Sequence, residues 1–375
     1  MMKSEQIRWS EGSGWSLYDT AEGPNRNLVL VFFDHPRCHD PEWFEELKSF
    51  YPNAIIAGVS SSGSVLDTVI SDHDAVATAL TLERSGVRCV SHKVSDYADA
   101  EMLGAALGEA LLDEGLRHVL ILSDGLSING SELARGFSRV LPEGITITGG
   151  LAGDGTRFGT TYVIAGAGAQ TGIVAAVGFY GETLRAKSGC YAGWDEFGPE
   201  RVITRSEANV LYTIDNQPAL ELYKRYLGEF ASDLPSSGLR FPMSVRKNID
   251  ATPVIRTLLA VDETSQSMTF AGDVPQGYLC RLLKTNMDSL IEHAGMAAES
   301  SKLEEDSPFL VIAVSCVGRR LVLGQLCEEE LEIIRETLGE QAVITGFYSY
   351  GELSEKGENR CTLHNQTMTL VSIYE

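Results

Sequence analysis

The sequence predicts an α/β protein in which repeated strand-helix-strand-hairpin units form mixed sheets flanked by helices, arranged as two domains. Two observations carry this. An apolar run leads into a glycine-bounded segment three times, from Gly58 to Gly63, Gly150 to Gly155 and Gly346 to Gly351, with the same spacing each time. Each segment also stands in one order of elements, strand, helix, strand, glycine turn, hairpin, and an internal repeat constrains architecture before anything else does. Unequal spacing between the copies excludes a solenoid and favours duplication within a two-domain protein. Composition agrees, since 375 residues with 43% hydrophobic and 22% charged describe a soluble globular chain with ample core.

In chain order, residues 27–34 predict the first strand, because Leu28 to Phe33 are apolar without interruption. A helix follows, with Asp40 as N-cap, Pro41 at its first position, and Trp43, Phe44, Leu47 and Phe50 on one face. Residues 54–57 form the next strand before the first glycine turn, and 75–83 with 87–94 read as a hairpin. The second copy runs as a helix over 98–114, a strand over 118–122, a helix over 131–141, a strand over 145–148, the turn, and a hairpin of 162–165 with 173–177. The third copy is a strand over 309–315, a helix over 328–338, a strand over 341–345, the turn, and strands over 361–363 and 367–374. Between the last two copies lie strands over 184–191, 210–214, 253–261 and 268–271 and helices over 218–227 and 287–299. A boundary near Ala208 gives a lead-in over 1–26, an N-terminal domain over 27–207 and a C-terminal domain over 208–375; 300–307 reads as a solvated loop.

Lys+Arg of 30 against Asp+Glu of 52 gives a formal net charge of -22, which repels nucleic-acid phosphates and anionic leaflets. Seven scattered cysteines without a Cys-x-x-Cys pair predict reduced thiols in a cytoplasmic protein. The N-terminus has no apolar run after its charges and does not read as a secretory signal. The uncharged stretch 158–181 is long enough to span a bilayer, but its glycines divide it into a buried hairpin.

Turns that follow strands and carry glycine can present amides to an anion such as a carboxylate, or can simply be tight turns. Gly58, Ser60, Ser61 and Gly63, then Gly150 and Asp154, then Gly346, Tyr348, Ser349, Tyr350 and Glu352 are the candidate ligand-binding residues of the three turns. Asp154 and Glu352 could receive a ligand amine or accept neighbouring amides. His364, Asn365 and Thr367 bring an imidazole, an amide and a hydroxyl together between the last two strands. No turn is followed by Lys-Ser/Thr, which excludes a nucleotide P-loop. The segment 58–63 is not Gly-x-Ser-x-Gly, so a serine hydrolase is not indicated, and no catalytic residue is assigned. His35, Cys38 and His39 form the one His/Cys cluster, without a standard zinc spacing, and read as a loop.

These motifs, in this order, resemble the FIST family. The first turn is similar to its Gly-Cys-Ser-Thr-Ala-Gly signature, with Val59 in place of Cys and Ser62 in place of Ala. Gly149-Gly150-Leu151-Ala152-Gly153-Asp154 resembles its Gly-Gly-x-Ala-Gly-Asp segment. Tyr212 to Ala219, Gly272 to Gly277, Gly346 to Glu352 and His364 to Thr367 resemble motifs of its C-terminal half. The resemblance implies a bacterial, non-enzymatic sensory module for a small ligand, with amino acids proposed. It also implies signalling through a separate histidine kinase or cyclic-di-GMP protein. Some relatives bind haem and report nitric oxide, so haem is the one cofactor it brings in, with His364 and then His39 as candidate ligands. A hydrolase using the same cleft is the alternative of another class.

Overall fold

The computed structural model describes residues 2–19, 26–34, 42–303, 307–356 and 359–375. The His35, Cys38 and His39 cluster and the Asp40–Pro41 cap lie outside them, as do residues 304–306 of the solvated loop.

The architecture follows from three apolar strand pairs. The first repeat runs β1 (Lys3–Ser10), β2 (Gly14–Asp19), β3 (Leu28–Asp34), α1 (Glu42–Phe50), β4 (Ile55–Ser61), β5 (Ser64–Leu66), β6 (Val69–Ser71) and β7 (Ala75–Thr81). The second runs β8 (Gly86–Lys93), α2 (Ala100–Leu111), β9 (Leu116–Ser123), α3 (Gly130–Val140), β10 (Thr146–Leu151), β11 (Val163–Ala165) and β12 (Ile173–Tyr180). The third opens with β13 (Arg185–Tyr191). It is interrupted by β14 (Asp195–Glu207), β15 (Val210–Ile214), β16 (Gln217–Pro218), α4 (Ala219–Leu227), β17 (Met243–Arg246), β18 (Val254–Arg256), β19 (Leu258–Asp262), β20 (Ser267–Phe270) and β21 (Leu279–Lys284). It then resumes with α5 (Met287–Ser301), β22 (Phe309–Cys316), α6 (Val317–Leu323), α7 (Glu329–Leu338), β23 (Ala342–Ser349), β24 (Gly351–Lys356), β25 (Asn359–His364) and β26 (Met368–Tyr374).

β3 and β4, β9 and β10, and β22 and β23 are parallel pairs, as a strand-helix-strand crossover requires. Both faces of each first strand are apolar because both are covered. Leu28, Leu30 and Phe32 of β3, Leu120 and Leu122 of β9, and Leu310, Ile312 and Val314 of β22 meet in one central core. The alternate residues pack outward, Val29, Val31 and Phe33 against α1, Val119 and Ile121 against α2 and α3, and Phe309, Val311 and Ala313 against α5 and α7. The result is the expected mixed α/β fold with helices flanking the sheets.

Strand partnership departs from the expectation. None of the three expected hairpins closes on itself: β7 stays with β3 while β8 pairs with β12, β11 pairs with β4 while β12 pairs with β9, and β25 pairs with β24 while β26 pairs with β22. Instead, the strand after each glycine segment is donated to another repeat: β5 lies on β23, β11 on β4 and β24 on β10. A hairpin needs a short turn that matches strand twist, and the glycine segments lead the chain across to a neighbour's edge. The lead-in is also structural, because β1 pairs with β7 from Lys3↔Thr81 to Trp9↔Ala75. Phe50 is 51% exposed, not on the buried face of α1.

The interrupting residues build a fourth sheet, ordered β18-β17-β21-β14-β15-β20-β19, over a core of its own that includes Tyr223, Met243 and Phe270. Ala208 and Asn209 turn β14 into β15. The long β14 is polar and half-exposed, with no apolar alternation, and for that reason has no counterpart among the predicted strands. No described helix is long and apolar enough to cross a membrane, and the uncharged stretch 158–181 holds β11 and β12.

Candidate functional site

The glycine segments do converge, but as strands and not as exposed turns. Gly58, Gly149 and Gly346 lie inside β4, β10 and β23, opposite Val31, Ile121 and Ala313 of the paired strands. A Cβ at any of the three would fall on that neighbour's carbonyl oxygen, far inside van der Waals contact. Glycine is therefore required by close backbone approach, and at Gly58 and Gly346 φ is not positive. Equivalent positions two and four residues on then lock the repeats together. The amide of Ser62 donates to Tyr348 O (2.9 Å), that of Gly153 to Ser60 O (2.9 Å) and that of Tyr350 to Leu151 O (3.1 Å). These amides serve one another and are not offered to an anion.

Every predicted ligand-binding residue is buried. Ser60 Oγ accepts from the amide of Tyr162 (2.9 Å), and Ser61 shares a hydrogen bond with Ser64 (2.8 Å). The Gly63 carbonyl accepts from the amide of Tyr348 (2.8 Å), and a Cβ at Gly150 would meet Val314 and Phe347 in the central core. Tyr348 extends its hydroxyl toward Cys327 O (3.4 Å) and Glu330 (3.5 Å). Asp154 accepts from the amides of Phe158, Gly159 and Thr160 and from the Tyr350 hydroxyl. Burial opposes its ionisation, yet these four donors hold the carboxyl below its usual range. They also fix the 154–160 loop, so that Phe158 stacks on Tyr350 at 4.7 Å between ring centroids. His364 Nε2 lies 2.9 Å from Thr362 Oγ1, and Asn365 Oδ1 accepts from the amide of Thr257 (3.3 Å), tying the last turn to the fourth sheet.

Glu352 has no basic group in hydrogen-bond contact. Its carboxyl accepts from Ser349 Oγ (2.6 Å), Thr367 Oγ1 (2.9 Å) and Thr367 N (3.2 Å), and burial raises its pKa from 4.5 to about 7. The neutral acid is thus favoured by folding. Its contribution to stability is complete below about pH 4.5, declines as pH rises toward 7, and is lost above that, a change of roughly 3 kcal/mol. Glu352→Gln, always neutral, is expected to gain roughly 2–3 kcal/mol over the parent between pH 5 and pH 8 in urea unfolding. A difference independent of pH would show that Glu352 is ionised throughout.

A cavity of about 730 Å³ lies beside this junction, between the fourth sheet and the repeats. The loop from Gly125 to Gly130 forms one wall, Thr257 to Leu259 and Phe270 to Asp273 another, and Cys316 to Gly318 with Tyr350 and Leu363 the floor. Of the predicted residues only Tyr350 lines it. Four rim side chains, Leu126, Phe158, Leu259 and Leu321, are between 43% and 51% exposed. Arg256 is wedged behind Gly272, where a Cβ would stand 2.9 Å from its Nε. Its guanidinium donates to Asp273 O (2.9 Å), Ile255 O (3.0 Å) and Leu363 O (3.0 Å), and burial lowers its pKa to about 10. The Asp273 carboxylate is turned to Arg135 (3.1 Å) and Asn129 (3.1 Å).

Sequence reasoning missed Arg256, Thr257, Gln366 and the 125–130 loop as cavity neighbours. One signal was available, an arginine inside the apolar run Val254-Ile255-Arg256-Thr257-Leu258-Leu259. No described residue lining the cavity is a histidine, and His364 is engaged outside its wall, so an imidazole-ligated haem does not fit this cavity.

Residues 27–217 match the family model described as FIST N domain, and residues 219–355 that described as FIST C domain. No curated protein matches the chain. Among solved structures it is similar to a cyanuric acid hydrolase from A. caulinodans, at 9% identity over 77% of this chain and 99% of that one, with a TM-score of 0.17. That likeness is too weak to carry any argument. The two family models together span most of the sequence, and the chain belongs to the FIST family of sensory, small-ligand-binding domains of signalling proteins.

Proposed function

We propose that this chain is a cytoplasmic sensor that binds a small metabolite, amino acids being the first class to test, and reports it to a separate signalling protein. A histidine kinase or a cyclic-di-GMP enzyme is the kind of partner meant. The observation that carries the reading is the 730 Å³ cavity, within the range of small-molecule sites and shared between the fourth sheet and the repeats. A ligand touching both parts biases their relative arrangement, which is what a sensor needs. Binding without turnover is supported by the thiols, since burial keeps Cys316 and Cys361 protonated and pushes Cys280 up to about 12. Six free cysteines among the described residues support a reducing compartment.

The test is a thermal-shift screen against amino acids and small carboxylates. A compound at 100 times its Kd is expected to stabilise the fold by about 2.7 kcal/mol. Leu259→Trp with Leu321→Trp, exposed rim substitutions that narrow the mouth, should remove the shift. A shift unchanged in that variant would place the site elsewhere, and consumption of the compound would make the protein an enzyme.

A further inference from the structure

Among the described residues the lining of this cavity carries no basic side chain, and its one acid, Asp273, already accepts from Arg135 (3.1 Å) and Asn129 (3.1 Å). Arg256 stands behind Gly272 with its guanidinium on three carbonyls. Uncharged polar groups of the walls are engaged as well. Asn129 Oδ1 accepts from the amides of Ser131 and Glu132, Asn209 Nδ2 donates to Phe270 O, and the Tyr350 hydroxyl donates to Asp154. In the 125–130 loop the amide of Gly125 donates to Thr161, and those of Leu126 and Ser127 to Asp124. What the cavity offers a ligand is therefore mainly apolar surface. Leu151, Leu258, Phe270 and Val317 supply it among the buried residues, and the four rim side chains supply it at the mouth.

Phe158 stands apart from the other three rim residues. It is half-exposed, with a φ of 49°, a left-handed conformation that is unfavourable for a residue with a bulky side chain. The Asp154 carboxylate holds the loop in that shape by accepting the amides of Phe158, Gly159 and Thr160. The Phe158 ring lies nearly flat on Tyr350, at an interplanar angle of 18°, and Tyr350 is its one ring partner among the described residues. A phenyl group held in place by a strained backbone, and left half-open at the mouth of a cavity, can receive a second ring in offset stacking.

We propose that the cavity takes an uncharged, mainly apolar molecule with a planar ring, and that Phe158 is the residue on which the ring stacks. An ionised group would leave water for a lining that holds no free counter-charge, a penalty that a neutral molecule does not meet. The inference rests on the sensory reading above and narrows its ligand: a free amino acid brings two charges into this space, whereas a neutral ring compound brings none.

Titration calorimetry on the full chain at neutral pH tests it with 2-naphthol, decahydro-2-naphthol, 2-naphthoate, 2-naphthylmethylammonium and L-phenylalanine. 2-Naphthol is expected to bind at one site, with the two charged naphthalenes and L-phenylalanine at least about tenfold weaker and decahydro-2-naphthol about fivefold weaker. Phe158→Leu should weaken 2-naphthol about fivefold and bring it level with decahydro-2-naphthol. The replaced ring is half-exposed, so the variant should fold; circular dichroism checks this, and the five compounds on the parent decide alone if it does not. 2-Naphthoate or 2-naphthylmethylammonium binding as tightly as 2-naphthol overturns the inference, as does 2-naphthol binding indifferent to Phe158→Leu or to saturation of its rings. L-Phenylalanine binding without 2-naphthol binding overturns the inference and leaves the amino-acid sensor standing. 2-Naphthol binding that survives Leu259→Trp with Leu321→Trp overturns both, because the cavity is then not the site.

Discussion

Gly346→Ala is expected to destabilise the protein by roughly 3–5 kcal/mol, enough to unfold most domains of ordinary stability. The new Cβ would overlap Ala313 O and crowd Ala313 N and C, all backbone atoms of the adjacent parallel strand. A flexible side chain could turn away; a strand held on both edges by β26 and β23 cannot. Gly58→Ala and Gly149→Ala meet the carbonyls of Val31 and Ile121 in the same way and should behave alike. Gly86→Ala supplies the control, since its Cβ would meet nothing nearer than 4.0 Å and should change stability by less than about 0.5 kcal/mol. Urea midpoints of the four variants decide the matter. Equal small effects at all four would mean that the parallel strands can separate, and that the repeats do not share one rigid centre.

The second large effect is expected at Arg319. Its guanidinium and the Glu330 carboxylate are wholly enclosed, and the remaining guanidinium hydrogens reach the carbonyls of Ala192, Leu290 (2.8 Å) and Gln366 (3.4 Å). One side chain thus joins α6, α7, α5 and the turn after β25. Arg319→Met leaves Glu330 buried without its cation and should cost roughly 3–5 kcal/mol. Arg319→Met with Glu330→Met removes both charges and should recover a large part of that loss, because a buried pair contributes little net stability beyond an apolar replacement of similar size. If the double variant were no more stable than the single one, the carbonyl contacts of Arg319, and not the pair, would be what the fold depends on. A single variant within about 1 kcal/mol of the parent would remove the ion pair from consideration altogether.

Sequence alone determined the repeat and its strand-helix-strand units. Short uninterrupted apolar runs such as Leu28 to Phe33 and Phe309 to Val314 read as strands covered on both faces, and the helices between them carry one apolar face. These signals are local, so strand, helix and strand were legible in all three copies. The glycines were legible as special positions, but the reason assigned to them, backbone freedom at a turn, was not the operative one. Close approach to a carbonyl on another strand has no signature in the glycine's own neighbourhood.

Tertiary structure decided which edges pair and where a ligand could enter. Alternation along a strand says which face is buried, yet its hydrogen-bonding edges carry the same N–H and C=O groups whatever the sequence. Hence β5, β11 and β24 could not be assigned to other repeats, nor β1 to the first sheet, from residues alone. The donated strands draw the expected site residues inward, where Glu352, Asp154 and His364 hold the junction between repeats. The cavity opens one layer away, where the fourth sheet meets that junction. Thr257 and Gln366 become notable beside it only because packing removes the water from their side-chain polar atoms without giving those atoms partners, and desolvation is a property of the assembled fold, not of any stretch of chain.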